Sequence, residues 1–137
     1  MKIVDHIAVL VEDLEVSQKW YEEVCGAELV FEDYKYKRMS MDNVTIALID
    51  KKHYNYNHIG IHVKNYADLP SDKGEIVHHR DGTTGCYVKD PDGHVVEFIH
   101  YNEECVKEMK IQSWILKLKI TLDLPYIMRK RFIVFVI

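Results

Sequence analysis

The stretches DHIAVLVED at residues 5–13 and NHIGIHVKN at residues 57–65 are one phrase written twice. Each runs His-Ile, a small residue, a branched apolar residue, and Val at the sixth place counted from His. His6 therefore falls on His58. The closing stretches repeat too: NVTIALI (43–49) lies on GHVVEFI (93–99), with Ala47 on Glu97. A unit of about fifty residues that recurs in one chain points to a duplicated supersecondary module whose copies bury a surface together.

Each copy reads strand–helix–strand–strand–strand. In the first, Ile and Val in 2–11 predict a strand. Leu14, Trp20, Tyr21 and Val24 recur at helical spacing in 12–26, with Gly26 at the C-cap position. Two strands are expected within 27–41 and one at 43–50, and 51–57 is a polar connector. The second copy has strands at 58–63, 75–80, 84–90 and 94–101. Pro70 and Gly74 leave its helix slot, 64–74, only a turn or two. DPDG at 90–93 is a turn, with Pro presetting φ and Gly accepting the left-handed position. It lacks the repeated acidic ligands of a calcium loop. The expected fold class is α+β: two βαβββ modules forming a cup-shaped mixed sheet, the second helix eroded, plus a C-terminal helix and a strand-like tail. Residues 1–102 form one domain, with modules 1–50 and 57–102, and 103–137 form an extension.

Side chains alternate faces along a strand. His6 thus shares a face with Ala8, His58 with Gly60 and His62, and Glu97 with Val95 and Ile99. If the apolar faces pack outward and a pseudo-twofold relates the copies, His6, His58 and Glu97 converge inside the cup. Two imidazoles and a carboxylate with open positions make a divalent-metal site of the facial-triad type. Such an ion polarises a bound oxygen. A lone buried Glu97 would otherwise need a Lys or Arg partner.

The segments DHIAVLVEDLEVSQKWYEEVCGAELV, NHIGIHV and YVKDPDGHVVEFIHY resemble the vicinal-oxygen-chelate superfamily of glyoxalase I, methylmalonyl-CoA epimerase, fosfomycin-resistance thiol transferases, extradiol dioxygenases and bleomycin-resistance proteins. The resemblance covers residues 2–101. It implies ligands on the first, fifth and eighth strands, here His6, His58 and Glu97, and one divalent ion: zinc, nickel, manganese, cobalt or iron. Glyoxalase I and the epimerase carry a fourth ligand, Glu or Gln, on the fourth strand, where this chain has Ala47. Thiol transferases with a potassium loop have a Thr where this chain has Ala8, and extradiol dioxygenases are about twice as long. Tyr87 matches a tyrosine found one strand before the Glu in thiol transferases and some dioxygenases. The resemblance implies a metal-dependent lyase or isomerase of the glyoxalase I type acting on a small oxygenated metabolite. The alternatives are a non-catalytic binding protein of the bleomycin-resistance type, an Fe(II) dioxygenase or a thiol transferase. Bleomycin-resistance proteins generally lack the metal residues, which this chain keeps.

His62 is a candidate for contact with substrate, since about 13 Å of strand keeps it from sharing an ion with His58. Tyr87, Tyr101 and Asp50 are candidate donors, acids or bases. His53, His78, His79, His94 and His100 read as solvated, and Cys25 as core.

Residues 1–102 hold 11 Lys/Arg against 18 Asp/Glu, a net −7, which argues against a nucleic-acid partner. Residues 103–137 carry +3. No apolar run reaches membrane-span length, so no membrane partner is expected. The start lacks a signal-peptide pattern, and three scattered cysteines suit a reducing cytoplasm. Asn102 is placed to cap a helix bearing Glu103 and Glu104, with Ile111, Trp114, Ile115, Leu118 and Leu122 on one face and a stop at Pro125. After RKR (129–131), FIVFVI (132–137) has high β propensity and calls for a cover. Superfamily members commonly pair modules between subunits, and the eroded helix leaves sheet surface for 103–137 to cover. A homodimer is therefore expected.

Overall fold

A computed structural model of the chain describes residues 2–121. Eight strands form one open mixed sheet: β1 (Ile3–Val11), β2 (Glu28–Glu32), β3 (Tyr36–Ser40), β4 (Thr45–Asp50), β5 (His58–His62), β6 (Glu75–His78), β7 (Thr84–Lys89) and β8 (Val95–His100). Helix α1 (Leu14–Cys25) follows β1, and α2 (Glu103–Thr121) follows β8. The strand order is β2-β3-β4-β1-β5-β8-β7-β6. Each copy thus contributes four adjacent strands, and the copies join where β1 runs antiparallel to β5.

The α+β duplication expected from the repeat is the fold observed. Helix α1 starts at Asp13, whose carboxylate accepts from the Glu15 and Val16 amides, and ends at Gly26 in the left-handed region (φ 64°). The second copy keeps only a 3-10 turn, Tyr66–Asp68. Leu69 beyond it packs with Val63 and Cys86, filling part of the space a helix would occupy. Pro125, the RKR cluster and the FIVFVI tail lie outside the described residues.

β4 is buried on both faces. Ile46 and Leu48 pack with Ala27 and Met39 under Leu14 and Tyr21 of α1. Ala47 and Ile49 pack with Ala8 on the cup side. The α1 interface is partly polar: Lys37, 2 % exposed, donates to Glu15 (2.7 Å), Gln18 (2.6 Å) and Glu32 (3.2 Å). No residue of α1 is fully buried, and Cys25 is exposed, correcting its assignment to the core. The backs of the two central strands are also open, with Val4, Ile7 and Ile59 exposed.

The sheet curls until its two ends meet. Arg80, beyond β6, pairs with Asp33, beyond β2, at 2.6 Å. Asn102 caps α2 through the Cys105 amide (2.7 Å) and donates to the Gly82 carbonyl (3.3 Å). These bonds turn α2 across the end of the cup and against β2. Its first turns line the cavity at Cys105 and Glu108. In the single chain this helix lies against β2, and its Ile111, Trp114 and Leu118 are exposed. No helix among the described residues is long and apolar enough to cross a membrane.

Candidate metal centre

Strand register carries two rows of side chains across the inner face. His6 on β1 pairs with Gly60 on β5, Gly60 with Glu97 on β8, and Glu97 with Tyr87 on β7. In the next row Ala47 pairs with Ala8, and Ala8 with His58. His6 and Glu97 are two strands apart, about 9–10 Å between backbones. They meet because Gly60 between them carries no side chain.

His6 Nε2 lies 3.1 Å from His58 Nε2 and 3.2 Å from Glu97 Oε2, and His58 Nε2 lies 3.2 Å from the same oxygen. Ligand bonds of about 2.1 Å separate neighbouring donor atoms by about 3.0 Å in an octahedron and about 3.4 Å in a tetrahedron. The triangle falls between these values, so the donor set fits a divalent ion. The open side faces a cavity of about 770 Å³. Among the described residues a second cluster, Asp90, Asp92 and His94, is the turn between β7 and β8, where Asp90 caps the backbone of Asp92 and His94.

The charges are coupled. Burial disfavours ionised Glu97, but hydrogen bonds from His58 and His6 outweigh it and hold the carboxyl well below the usual carboxylate range. Burial likewise lowers the His6 pKa, yet hydrogen bonds to Asp5 and Glu97 raise it to about 9. The other Glu97 oxygen, Oε1, accepts from the Tyr87 hydroxyl at 2.9 Å and lies 3.3 Å from His79 Nε2. Burial and the Glu97 charge push the Tyr87 phenol far up, so it remains a donor.

Tyr87 and Tyr101 both line the cavity, but Tyr101 donates to Asp5 (2.8 Å) rather than reaching the triangle. His62 is not part of the cavity wall; its ring stands edge-on to Tyr101, 5.6 Å between centroids. Ala47 lines the cavity beside Ala8. Asp50 ends β4 and accepts from the Lys52 amide. His79 is a correction. It does not point to solvent: it is wedged between Thr83 (2.8 Å), Tyr87 (3.1 Å) and Glu97, with its side chain 23 % exposed to the cavity. Only the pairing of β6 with β7, which sets Val77 against Gly85, turns it inward. Gly85 leaves the room, since a Cβ there would lie 2.6 Å from Glu97 Oε1 and 2.8 Å from the His79 ring.

Residues 3–63 match the family model described as Glyoxalase/Bleomycin resistance protein/Dioxygenase superfamily. The sequence likeness lies in residues 3–63, and the fold is that of glyoxalase-like structures. The matched segment contains His6 and His58; Glu97 joins them through the second half of the sheet. A glyoxalase/bleomycin resistance protein/dioxygenase superfamily member from Vibrio splendidus 12B01 is 17% identical over 74% of this chain and 100% of its own, with a TM-score of 0.55. Methylmalonyl-CoA epimerase from Mycobacterium tuberculosis is 15% identical over 76% and 91%, with a TM-score of 0.60. A Streptomyces coelicolor methylmalonyl-CoA epimerase is 12% identical over 73% and 94%, with a TM-score of 0.57. At these identities the likeness is one of fold. No curated protein matches the sequence.

Proposed function

We propose that this glyoxalase-like chain is a divalent-metal enzyme, a lyase or isomerase that moves a proton on a small oxygenated molecule. The observation that carries the reading is the triangle of His6 Nε2, His58 Nε2 and Glu97 Oε2, with edges of 3.1–3.2 Å, at the wall of an open cavity. A bound ion would polarise a carbonyl or hydroxyl oxygen and stabilise enolate-like charge. Ala8, Ala47, Ile49 and Ile99 give the cavity an apolar wall beside the triangle. Ala47 offers no ligand, leaving that side to water or substrate. His79 Nε2 is the group placed to take or give a proton, bridged to the Tyr87 hydroxyl and to Glu97.

The test has two parts. Metal content is measured on protein purified without chelator or a metal-affinity column, for the native chain and Glu97→Gln. The loaded protein is then incubated in deuterium oxide with hemithioacetals and 2-methyl-branched acyl thioesters, and deuterium next to the carbonyl is followed by NMR. Exchange in the native chain that Glu97→Gln lacks supports the reading. Equal metal content in both proteins sinks it. Two histidines, one carboxylate and no fourth ligand also suit Fe(II) oxygen chemistry. Iron in the purified protein, with oxygen uptake in place of deuterium exchange, would favour that second reading. The homodimer is proposed separately. One chain supplies all three donors, so pairing would serve surface burial, with light scattering at micromolar concentration as its test.

A further inference from the structure

The duplicated phrase puts an Asp before His6 and an Asn before His58. On an unbroken strand Asp5 and His6 would point to opposite faces. Strand β1 is broken there: Val4 pairs with Ile61 and His6 with Gly60, so Asp5 is an extra residue without a partner on β5. Such a bulge re-aims side chains and brings neighbours to one side. Asp5 turns to the side of His6, and its Oδ1 lies 2.8 Å from His6 Nδ1. The same oxygen accepts from the Tyr101 hydroxyl at 2.8 Å, with Arg38 Nη2 at 3.8 Å. Donors from β1, β3 and the end of β8 converge on one atom.

The second copy does otherwise. Asn57 Oδ1 accepts from the Leu10 amide at 2.8 Å, away from the ring that follows it. His58 Nδ1 is buried without a hydrogen-bond partner. Two histidines that match in sequence are therefore held differently, one by a half-buried carboxylate and one by packing.

We propose that Asp5 is the positioning residue of the metal centre: it holds His6 through Nδ1, so that Nε2 is presented to the ion beside His58 and Glu97, while Tyr101 and Arg38 fix Asp5 from the cavity wall. A histidine that binds through Nε2 carries its proton on Nδ1, and a carboxylate accepting that proton fixes tautomer and ring orientation and strengthens the ligand. The bulge is what allows a neighbour in sequence to play this part. The inference rests on the proposed triad.

The test uses the full chain and zinc alone, with affinity read by chelator competition. Asp5→Ala should weaken zinc binding about 10–100-fold. Asp5→Asn, which keeps an acceptor oxygen but no charge, should fall between Asp5→Ala and native. Asn57→Ala should bind as native. In the cobalt-loaded protein the visible bands should shift in Asp5→Ala and stay in place in Asn57→Ala. Should Asp5→Ala fail to fold, Asp5→Asn carries the test: weaker zinc binding supports the assignment, and native affinity overturns it. An equal loss in Asn57→Ala would also overturn it, by showing general damage at the strand ends. His6→Ala and Glu97→Ala separate the two levels. If both keep native affinity, the triad and the Asp5 assignment fall together. If both lose zinc while Asp5→Ala and Asp5→Asn keep it, only the assignment of Asp5 is wrong.

Discussion

Gly60 and His6 face each other across the β1–β5 pair so closely that a Cβ on Gly60 would stand 2.3 Å from His6 Cε1. Gly60→Ala should therefore push the imidazole off the row that leads to Glu97. Zinc affinity should drop about 10–100-fold, with a stability cost of about 1–3 kcal/mol from overpacking. Chelator competition and urea melts of the same variant give both values. Native affinity in Gly60→Ala would show that His6 has room to bind elsewhere.

The triad and Ala47 should respond with opposite signs. His6→Ala, His58→Ala and Glu97→Gln each remove one donor and should leave less than one ion per chain after gel filtration. Ala47→Glu places a carboxylate on the cavity wall beside Ala8 and should slow zinc loss to a chelator. Elemental analysis and chelator kinetics read the two effects. Unchanged retention in Ala47→Glu would mean that β4 does not look onto the ion.

Stability of protein stripped of metal should depend on pH through this cluster. The His6 pKa is raised from 6.5 to about 9, so its contribution is complete below about pH 6.5 and disappears as pH climbs through about 9. Glu97 and Asp5 are depressed, so theirs are complete above the ordinary carboxylate range and disappear in acid. Stability should peak between about pH 5 and 6.5 and fall on the order of 3 kcal/mol towards pH 9. Zinc should cancel the alkaline loss by taking the place of the proton. Urea melts from pH 5 to 9, with and without zinc, test this; a flat profile in stripped protein contradicts it.

Lys37 is a buried cation whose partners Glu15 and Glu32 keep access to water. Replacing a buried ion pair with an apolar side chain of similar volume is often neutral or stabilising by about 1–4 kcal/mol. Lys37→Met should thus leave stability unchanged or raised, and metal binding untouched. A loss above about 2 kcal/mol in thermal melts would show that the ammonium group is needed to seat α1.

The repeat and strand alternation determined the duplicated module, the strand sequence and the shared inner face of His6, His58 and Glu97. Those properties follow from periodicity: alternation assigns faces, and a duplication places like faces together. Other features depended on events that break periodicity or act between distant segments. The bulge at Asp5 turns a residue inward that alternation sends outward. His79 faces Glu97 only once β6 is in register with β7. Cys25 is exposed because α1 reaches the sheet partly through the Lys37 cluster rather than through a continuous apolar face. Helix α2 crosses the cup because Asn102 is tied to the β6–β7 turn. Spacing along a chain encodes which side of a strand a residue takes. Which neighbour it meets there is decided by register and by the curl of the sheet, and these are settled only when the whole sheet has formed.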